Sequence, residues 1–389
     1  MTQPHLNYDI AIIGGGPVGA ALALALRGSG LAICLLEARP NMPSQDARAL
    51  ALSYGSRLLL DKLHVWRTLQ QVSPIRTIHI SQRQSFGRAK LQAANLHVPE
   101  LGYVLPYATL QDGLDAALQE SDVKTIYLAR VLQLRGEADH AVIQYQRAGE
   151  AETTLSARLA VVADGGKLLA EPYPPTFHDY GQSAVIAHVT AATPLLDTAF
   201  ERFTPQGPVA LLPYQDGYEL VWTAPHERAQ AMLAWDDATF LGELHQHFGG
   251  RVGAFVSVGK RTSFPLGLKR APQLTPMPHT VLLGNAAQTL HPVAGQGFNM
   301  GVRDAWELAQ VILDSDPEAI GTETMLAAYR ASRSMDRNAG IRFTDSLVRI
   351  FSNDIPALRP ARAAALSALD CLPMAKQFVG RRMMFGANG

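Results

Sequence analysis

The sequence predicts an α/β protein in which a Rossmann-like nucleotide-binding domain carries an inserted, mainly antiparallel β-sheet domain and ends in helices. Near the start, a strand, a glycine turn, a helix and a second strand ending in an acid follow one another as YDIAIIG, GGGPVG, AALALALRGSG and LAICLLE. In the middle third, alternating segments such as SAVIAHVT and YELVWTA are separated by proline, glycine and aspartate. The tail from Leu347 onward has apolar stretches of helical composition.

Composition and charge describe a folded protein that is large enough to enclose a sizeable ligand. The chain has 389 residues, 47% of them hydrophobic, and its 34 basic residues balance its 34 acidic residues, which argues against a nucleic-acid partner. Two cysteines, Cys34 and Cys371, and no cluster at metal-ligand spacing indicate a reducing compartment and no metal site. Because no secretory leader and no membrane-spanning apolar run is found, we expect a cytoplasmic protein.

The glycine turn has the GxGxxG spacing of a dinucleotide-binding fingerprint. Gly14, Gly16 and Gly19 stand where a tight turn, a close approach of pyrophosphate and close helix packing each exclude a side chain. Glu37 lies 18 residues beyond Gly19, where its carboxylate can bind ribose hydroxyls. An acid here disfavours a 2′-phosphate, so the predicted ligand is the ADP half of FAD or NAD. The alternative is that Glu37 only solvates a strand end.

Two more apolar strands end in turns of small residues, RLAVVADGG (158–166) and TVLLGNAAQ (280–288). Ligands bind at the carboxyl ends of the strands in open parallel sheets, so both turns are expected to line one crevice with GGGPVG. The second turn continues into HPVAGQGFN and then into MGVRDAWELAQVIL, which has helical periodicity. Asn299 stands where the N-cap of that helix is expected.

The turns GGGPVG, ADG and GNAAQTLHPVAGQGFNMGVRD together resemble the class A flavin-dependent aromatic hydroxylases, and the last of them resembles the ubiquinone-biosynthesis branch. ERFTPQGPVALLP and TDSLVRIFSN further resemble the 2-polyprenyl-6-methoxyphenol hydroxylases. The resemblance runs over nearly the whole chain. It implies FAD as cofactor, NAD(P)H or another donor as a transient source of electrons, and O2 and a polyprenylated phenol as substrates.

The family resemblance also implies a reaction, in which O2 adds to reduced FAD as a C4a-hydroperoxide and the phenol ring attacks its distal oxygen. A single dinucleotide fingerprint agrees with a donor that binds only transiently. Three alternatives stay open. They are another aromatic or isoprenoid substrate, the reduction of isoprenoid double bonds without oxygen, and a redox-silent FAD-binding scaffold among other ubiquinone-biosynthesis proteins.

Site residues around the flavin ring follow from the same resemblance. Gly295 and Gly297 would leave room for the ring edge, and the start of the helix at Asn299 would stabilise negative charge on reduced flavin. Pro292 would lie beside the flavin face where substrate is held. The alternative for the proline and the two glycines is a tight turn alone. His291 is a candidate acid–base group for the phenol, or else a residue that caps or packs beside the turn.

Five further positions are assigned to FAD by the resemblance. Asn285 would meet the ribityl chain or the pyrophosphate, although the family usually has aspartate there. Asp164 matches the family's internal DG motif, but the serine that often follows is lacking. Arg48 would reach flavin or pyrophosphate, unless it forms only a surface salt bridge. Gln111, where the family more often has arginine, would contact pyrophosphate, and the backbone of Val131 would face adenine.

We expect the FAD-binding domain to comprise residues 1–75, 105–176 and 265–345, and the substrate domain to comprise residues 76–104 and 177–264. Residues 346–389 are expected to form a C-terminal helical segment. This segment is apolar and basic. It is therefore suited to resting on anionic lipid as a peripheral membrane contact, or to packing on a partner subunit or on its own domain.

Overall fold

The structure is a computed structural model that describes residues 6–46, 48–353, 355 and 357–388. In chain order, the α-helices of these residues are α1 (Pro17–Leu26), α2 (Tyr54–Lys62), α3 (Tyr107–Gln119), α4 (His226–Ala234), α5 (Asp237–Phe248), α6 (Gln296–Leu313), α7 (Glu323–Phe351), α8 (Leu358–Cys371) and α9 (Pro373–Phe385). The strands are β1 (Tyr8–Ile13), β2 (Ile33–Leu36), β3 (Ala49–Ser53), β4 (Ser73–Ile75), β5 (Thr77–Gln82), β6 (Arg88–Gln92), β7 (Gly102–Pro106), β8 (Lys124–Ile126), β9 (Ala129–Gly136), β10 (Ala141–Arg147), β11 (Glu152–Val162), β12 (Thr176–Ala191), β13 (Thr198–Thr204), β14 (Gly207–Tyr214), β15 (Gly217–Pro225), β16 (Phe255–Val258), β17 (Thr262–Arg270), β18 (Thr280–Leu282) and β19 (Gln288–Thr289).

The first sheet is the core of the Rossmann-like half and has the strand order β8-β2-β1-β11-β10-β9, with β18 paired to β11. β1 runs parallel to both β2 and β11, and β18 also runs parallel to β11. α1 packs against α3 and α6 beside this sheet, which buries the apolar strands that the sequence predicts. Because β1, β11 and β18 are parallel, the turns that follow them meet at one edge of the sheet.

The second sheet has the strand order β19-β17-β12-β15-β14-β13-β5-β6, with β16 paired to β12. Its neighbouring strands are antiparallel, except that β13 and β5 run parallel. One face packs under α4 and α5, where Trp222, Phe240 and Leu244 belong to one buried cluster. The predicted fold class, a Rossmann-like part with a mainly antiparallel sheet and C-terminal helices, is confirmed.

Two of the predicted domain boundaries do not coincide with the ends of strands. The predicted boundary at 176/177 falls inside β12, and the boundary at 264/265 falls inside β17. β19, which the sequence assigns to the nucleotide-binding part, pairs with β17 in the second sheet. The division into domains stays a prediction, and these two boundaries lie within strands.

The C-terminal helices cover the second face of the second sheet. α7 passes through the predicted boundary at 345/346 as one helix of 29 residues. Phe351 of α7 stacks on Phe203 of β13 with their ring centroids 4.2 Å apart, while α8 packs on β5 and β6 and α9 packs on α2 and β3. A short third sheet, β3-β7-β4, lies next to α2. Within the described residues, none of the helices combines the length and apolar character that crossing a bilayer requires.

Buried charges connect α6 to α7. Arg333 is 2% exposed, and it donates hydrogen bonds from Nε to Asp304 at 2.7 Å and from Nη2 to Asp336 at 2.8 Å. Arg303 donates to the same oxygen of Asp336 at 3.0 Å, and Gln288 donates to the second oxygen of Asp304 at 2.8 Å. Paired buried charges hold two elements in one geometry. They therefore fix the position of α6, whose first turn lies at the candidate site.

Candidate active site

The glycine turn after β1 forms as the fingerprint predicts. Gly14 has φ +104°, and a Cβ there would lie 2.6 Å from the carbonyl oxygen of Ala163. A Cβ at Gly19 would overlap the carbonyl oxygen of Gly14, so this position requires glycine for close helix packing. Gly16 is the N-cap of α1 without a side-chain cap, and a Cβ there would meet only the Tyr107 hydroxyl, at 3.9 Å. The first amides of α1 thus face space that a phosphate can occupy.

Glu37 holds the other end of this turn from the end of β2. Its Oε2 accepts a hydrogen bond from the Gly15 amide at 2.6 Å, and its Oε1 accepts one from the Arg39 amide at 2.8 Å. Gln111 is buried on α3 and donates from Nε2 to the Gly15 carbonyl at 2.9 Å. Arg39 pairs with Asp115 of α3 at 2.7 Å. The sequence analysis missed Arg39 and Asp115, because no local pattern shows that α3 lies beside the turn.

Arg48 and Val131 lie near this nucleotide edge. The Arg48 guanidinium pairs with Asp46 at 2.5 Å, which is the salt bridge considered as the alternative, and it lies 5.4 Å from the centroid of the Tyr107 ring. Val131 is the third residue of β9, whose first amide donates to the Glu37 carbonyl at 2.9 Å. The cofactor roles of Arg48 and Val131 stay predictions.

The turns after β11 and β18 approach each other, as expected of parallel strands. Asp164 accepts hydrogen bonds from the amides of Gly166 at 2.8 Å and Leu168 at 2.7 Å, so its carboxylate stabilises its own turn. Asn285 is exposed in the 3-10 turn after β18, and its carbonyl oxygen would lie 3.3 Å from a Cβ at Gly166. The structure therefore brings Asp164 and Asn285 together, and their contacts with FAD stay predictions.

The helix after the HPVAGQGFN turn begins earlier than the sequence predicts. Its N-cap is Gly295, which has φ +60°, and α6 starts at Gln296. The prediction that Asn299 is the N-cap is wrong, because the left-handed backbone that ends the preceding turn is available to glycine at low cost. Asn299 lies inside the first turns of α6, accepts from the Ser53 amide at 2.8 Å and donates to the Ala51 carbonyl at 3.0 Å. It ties the helix start to β3.

Gly297 and His291 lie in different surroundings. Among the described residues, no atom outside the adjoining turns of α6 lies within 4 Å of the position of a Cβ at Gly297, so the first turn of α6 is open on that side. His291 is 1% exposed; its Nδ1 accepts from the Val293 amide at 3.1 Å, and its ring packs edge-on to Tyr180. Burial lowers the pKa of His291 to about 4, which keeps the imidazole neutral. An acid–base role for His291 stays a prediction.

A cavity of about 330 Å³ lies between the α6 start, the second sheet and the C-terminal helices. Pro292, Gly295 and Asn299 line it on the α6 side, and most of the remaining lining side chains are apolar. Among the described residues that line it, Glu201 is the one ionisable group. The sequence analysis missed Glu201. Its signal in the sequence is an acid at an alternating position of the apolar strand TAFERFT.

FAD fits the residues that are present at this edge. α1 begins directly after β1, and α6 packs against the start of α1, where a Cβ at Gly301 would lie 2.9 Å from the Val18 side chain, so both helix starts lie at the same edge of the sheet. Gly16 leaves the first helix start open, and Gly297 leaves the second one open beside the cavity. A dinucleotide has room along the first helix start, and a flat ring has room at the second, where bare amides stabilise negative charge.

This combination, a dinucleotide edge that continues into an apolar cavity beneath an antiparallel sheet, is the arrangement of a flavin-dependent enzyme. The chain belongs to the family described as "FAD binding domain", whose model matches residues 7–344. It is 32% identical to the 3-demethoxyubiquinol 3-hydroxylase of Escherichia coli, and the 375 aligned residues cover 93% of this chain and 94% of that protein.

A second relative and a solved structure agree with this family. The ubiquinone hydroxylase UbiL of Rhodospirillum rubrum is 31% identical over 394 residues, which cover 97% of this chain and 89% of that protein. The crystal structure of p-nitrophenol 4-monooxygenase PnpA from Pseudomonas putida superposes with a TM-score of 0.76 at 16% identity and covers 98% of both chains. That likeness shows the fold, and the family shows an FAD-dependent monooxygenase.

Proposed function

We propose that the protein hydroxylates the aromatic ring of a polyprenylated phenol in ubiquinone biosynthesis, with O2 and with NAD(P)H as the transient electron donor. The observation that carries the proposal is the apolar cavity that begins at Pro292 and Gly295 and extends to α8 and α9. A phenol ring at the α6 end leaves the rest of the cavity for an isoprenoid chain. The names of the two enzyme relatives support the same substrate class.

In this proposal, bound FAD supplies the chemistry that reduces O2 and delivers one oxygen atom to the ring. Gly14, Gly16 and Glu37 hold the ADP half, and Arg48, Gln111, Val131, Asp164 and Asn285 lie along the same edge. Gly295 and Gly297 have no side chains and therefore leave space for the flavin ring. Pro292 holds the substrate beside that ring. The apolar walls exclude water, which strengthens the electrostatic effect of the α6 amides.

The test is turnover by the purified, FAD-loaded protein with 2-geranyl-6-methoxyphenol and NADPH or NADH under 18O-labelled O2. We expect the phenol to stimulate oxidation of NAD(P)H, and the product to gain one labelled oxygen in the ring by mass spectrometry. Binding of FAD without stimulated turnover would instead favour the redox-silent scaffold. Turnover with other phenols alone would move the substrate to another aromatic compound.

Replacing Gly297 with valine should uncouple the reaction. The side chain meets no protein atom, so it would occupy the bed of the flavin ring while the ADP half keeps its contacts. We expect less hydroxylated product and more hydrogen peroxide per NAD(P)H oxidised, because a displaced ring loses the dry pocket. The control is Gly242→Val, since Gly242 is also a helical glycine with no atom within 4 Å of a Cβ. Wild-type coupling in Gly297→Val would show that the ring lies elsewhere.

Gly295 is a less specific probe of the flavin bed. Its φ of +60° strains any β-branched residue, and a Cβ there would touch the Ala51 side chain at 3.4 Å. Gly295→Val therefore combines backbone strain with the loss of space for the ring.

We also propose that the outer face of α8 and α9 rests on an anionic membrane, so that an isoprenoid substrate enters from lipid. Arg359 of α8 and Arg381 of α9 are exposed, whereas Arg362 is buried and Lys376 pairs with Asp370. Met374 and Phe378 are 83% and 70% exposed, and Leu372 between the two helices is also exposed. Ala365 of α8 is exposed and also lines the cavity, so the cavity reaches this face. Apolar side chains among basic ones match the surface of an anionic bilayer.

Flotation with vesicles tests this surface. We expect the holoprotein to bind vesicles that contain phosphatidylglycerol, more weakly at high salt, and to bind pure phosphatidylcholine poorly. Met374→Asp with Phe378→Asp should weaken binding about 10-fold or more, because two apolar side chains can no longer enter the interface. Val256→Asp is the control, since Val256 is also exposed, at 62%, but lies on β16. Unchanged binding by the double variant, or a change only in its oligomeric state, would contradict the proposal.

A further inference from the structure

We infer that Glu201 accepts the hydrogen bond and then the proton of the phenolic hydroxyl of the substrate. The inference rests on the proposed phenol substrate and identifies the group that orients and activates it. It assigns the acid–base role, which the sequence had suggested for His291, to a carboxylate on the wall of the cavity.

The sheet register places Glu201 in the wall of the cavity. Side chains alternate between faces along β13, so Ala199, Glu201 and Phe203 share the face that lines the cavity. Phe200, which alternates with them, belongs to the cluster beneath α4 and α5 and also borders the cavity. The cavity-lining face of the sheet therefore presents one acid within an apolar strand.

The neighbours of Glu201 from each adjoining strand are uncharged. Ile80 of β5 and Ala210 of β14 stand opposite Glu201 in the register, and Val221 of β15 follows Ala210. Phe343 and Leu347 of α7 line the same cavity. The surroundings thus supply no cation that would satisfy the carboxylate within the protein.

Glu201 has an unmet capacity for hydrogen bonding. Its Oε1 is buried and has no hydrogen-bond partner among the residues that the structure describes. The Thr223 hydroxyl on the same wall is in the same condition. Buried polar atoms nearly always have a hydrogen-bond partner. Two buried oxygens without one on a cavity wall therefore indicate a polar ligand. An isoprenoid chain is apolar, and the polar part of a prenylated phenol is its oxygenated ring.

The protonation behaviour of Glu201 suits an exchange of protons near neutral pH. Burial alone raises the pKa of Glu201 to about 7. A general base works best when its pKa is close to the working pH. The Nε2 atom of His291 is also buried without a partner among the described residues, but His291 is less suited, because burial lowers its pKa to about 4 and because it is not among the residues that line the cavity.

The proton transfer is balanced within the substrate and Glu201. The O–H bond of the phenol breaks, its electron pair stays on the phenolate oxygen, and a new O–H bond forms on the carboxylate. Nothing is oxidised or reduced in this step. The phenolate is richer in electrons at its ring carbons and is the better partner for an electrophilic oxygen. When the hydroxylated product is protonated again, Glu201 returns the proton.

Equilibrium binding tests the inference without turnover. The FAD-loaded protein is titrated calorimetrically with 2-geranyl-6-methoxyphenol and with its O-methyl ether, which lacks the donor. We expect the wild type to bind the phenol about 10-fold or more tightly than the ether, since a hydrogen bond to a charged group contributes about 1.5–3 kcal/mol. Glu201→Gln should reduce this preference to about threefold or less and leave the affinity for the ether unchanged.

Glu219→Gln is the matched control, because Glu219 lies on β15 in the same sheet but pairs with His188. It should keep the preference for the phenol. In the wild type, the preference should also increase as the pH rises through about 7, because the carboxylate accepts more strongly than the neutral acid. The same pH series should be flat for Glu201→Gln. Because the first pH series uses the wild type, its result does not depend on whether a variant folds.

The outcomes separate the two proposals. A preference that survives in Glu201→Gln, or that is independent of pH in the wild type, would overturn the role of Glu201 while the phenol substrate stands. Binding of neither compound to the wild type would overturn the proposed substrate class, and the inference with it.

Discussion

Replacing Gly16 with valine is expected to give a protein that folds normally but purifies without FAD. The Gly16 backbone is extended with φ −63°, and a Cβ there would meet only the Tyr107 hydroxyl, so the folded protein accommodates the side chain. The valine would instead occupy the space where the pyrophosphate approaches the α1 amides. Each lost charge-assisted hydrogen bond costs about 1.5–3 kcal/mol, so the affinity for FAD should fall on the order of 100-fold or more.

Flavin absorbance of the purified protein and a titration with FAD measure this effect, and thermal unfolding of the protein prepared without cofactor measures the fold. Gly19→Val is the contrasting variant. Its side chain would overlap the Gly14 carbonyl, so it should lower the stability of the cofactor-free protein. Full FAD occupancy in Gly16→Val would show that the cofactor does not use the start of α1.

Replacing Arg333 with leucine is expected to lower the free energy of unfolding by about 3–5 kcal/mol. Arg333 is buried between α6 and α7, and its removal leaves the Asp304 carboxylate with an amide donor from Gln288 and without its cation. An uncompensated buried charge costs more than a buried pair contributes. Since α6 begins at the candidate site, the variant should also bind FAD less tightly. Urea unfolding followed by circular dichroism measures the change in stability.

Two controls separate the buried charge from the loss of a side chain. Arg330 lies on the same helix and forms an exposed ion pair with Glu323, so Arg330→Leu should change stability little. Adding Asp304→Leu to Arg333→Leu should recover most of the loss, because the unpaired charge is removed with its partner. If the double variant is no more stable than Arg333→Leu, the loss comes from packing and not from Asp304.

Local rules of backbone chemistry allow the first sheet and the nucleotide edge to be predicted from sequence. Position 14 has a positive φ, and position 19 has no room for a side chain against the Gly14 carbonyl. Both positions therefore require glycine, and the glycine pattern predicts them. The acid at the end of β2 follows at a fixed distance because one βαβ unit has a nearly fixed length. The alternating strands of the second sheet are visible for a similar reason, since the face of a strand repeats every two residues.

The start of α6 shows where local rules stop. The sequence offers Asn299 as a good N-cap, yet a left-handed Gly295 ends the preceding turn and is the N-cap, four residues earlier than Asn299. The side-chain amide of Asn299 instead forms hydrogen bonds with β3, which is about 250 positions away in the chain. A choice between two possible caps depends on what each side chain meets after folding.

The sequence by itself determined the class of fold, the family and the dinucleotide edge around Gly14, Gly16, Gly19 and Glu37, because these depend on spacing within one short unit. Only the tertiary structure decided what lines the cavity. Glu201 became the one ionisable group among the described residues of the cavity wall when β5, β14 and α7 placed apolar side chains around it. Gln111 likewise meets the glycine turn only because α3 packs beside α1, and Arg39, which follows β2, pairs there with Asp115 of α3. Such roles arise from burial and from long-range contacts, and neither is encoded in any one segment of the chain.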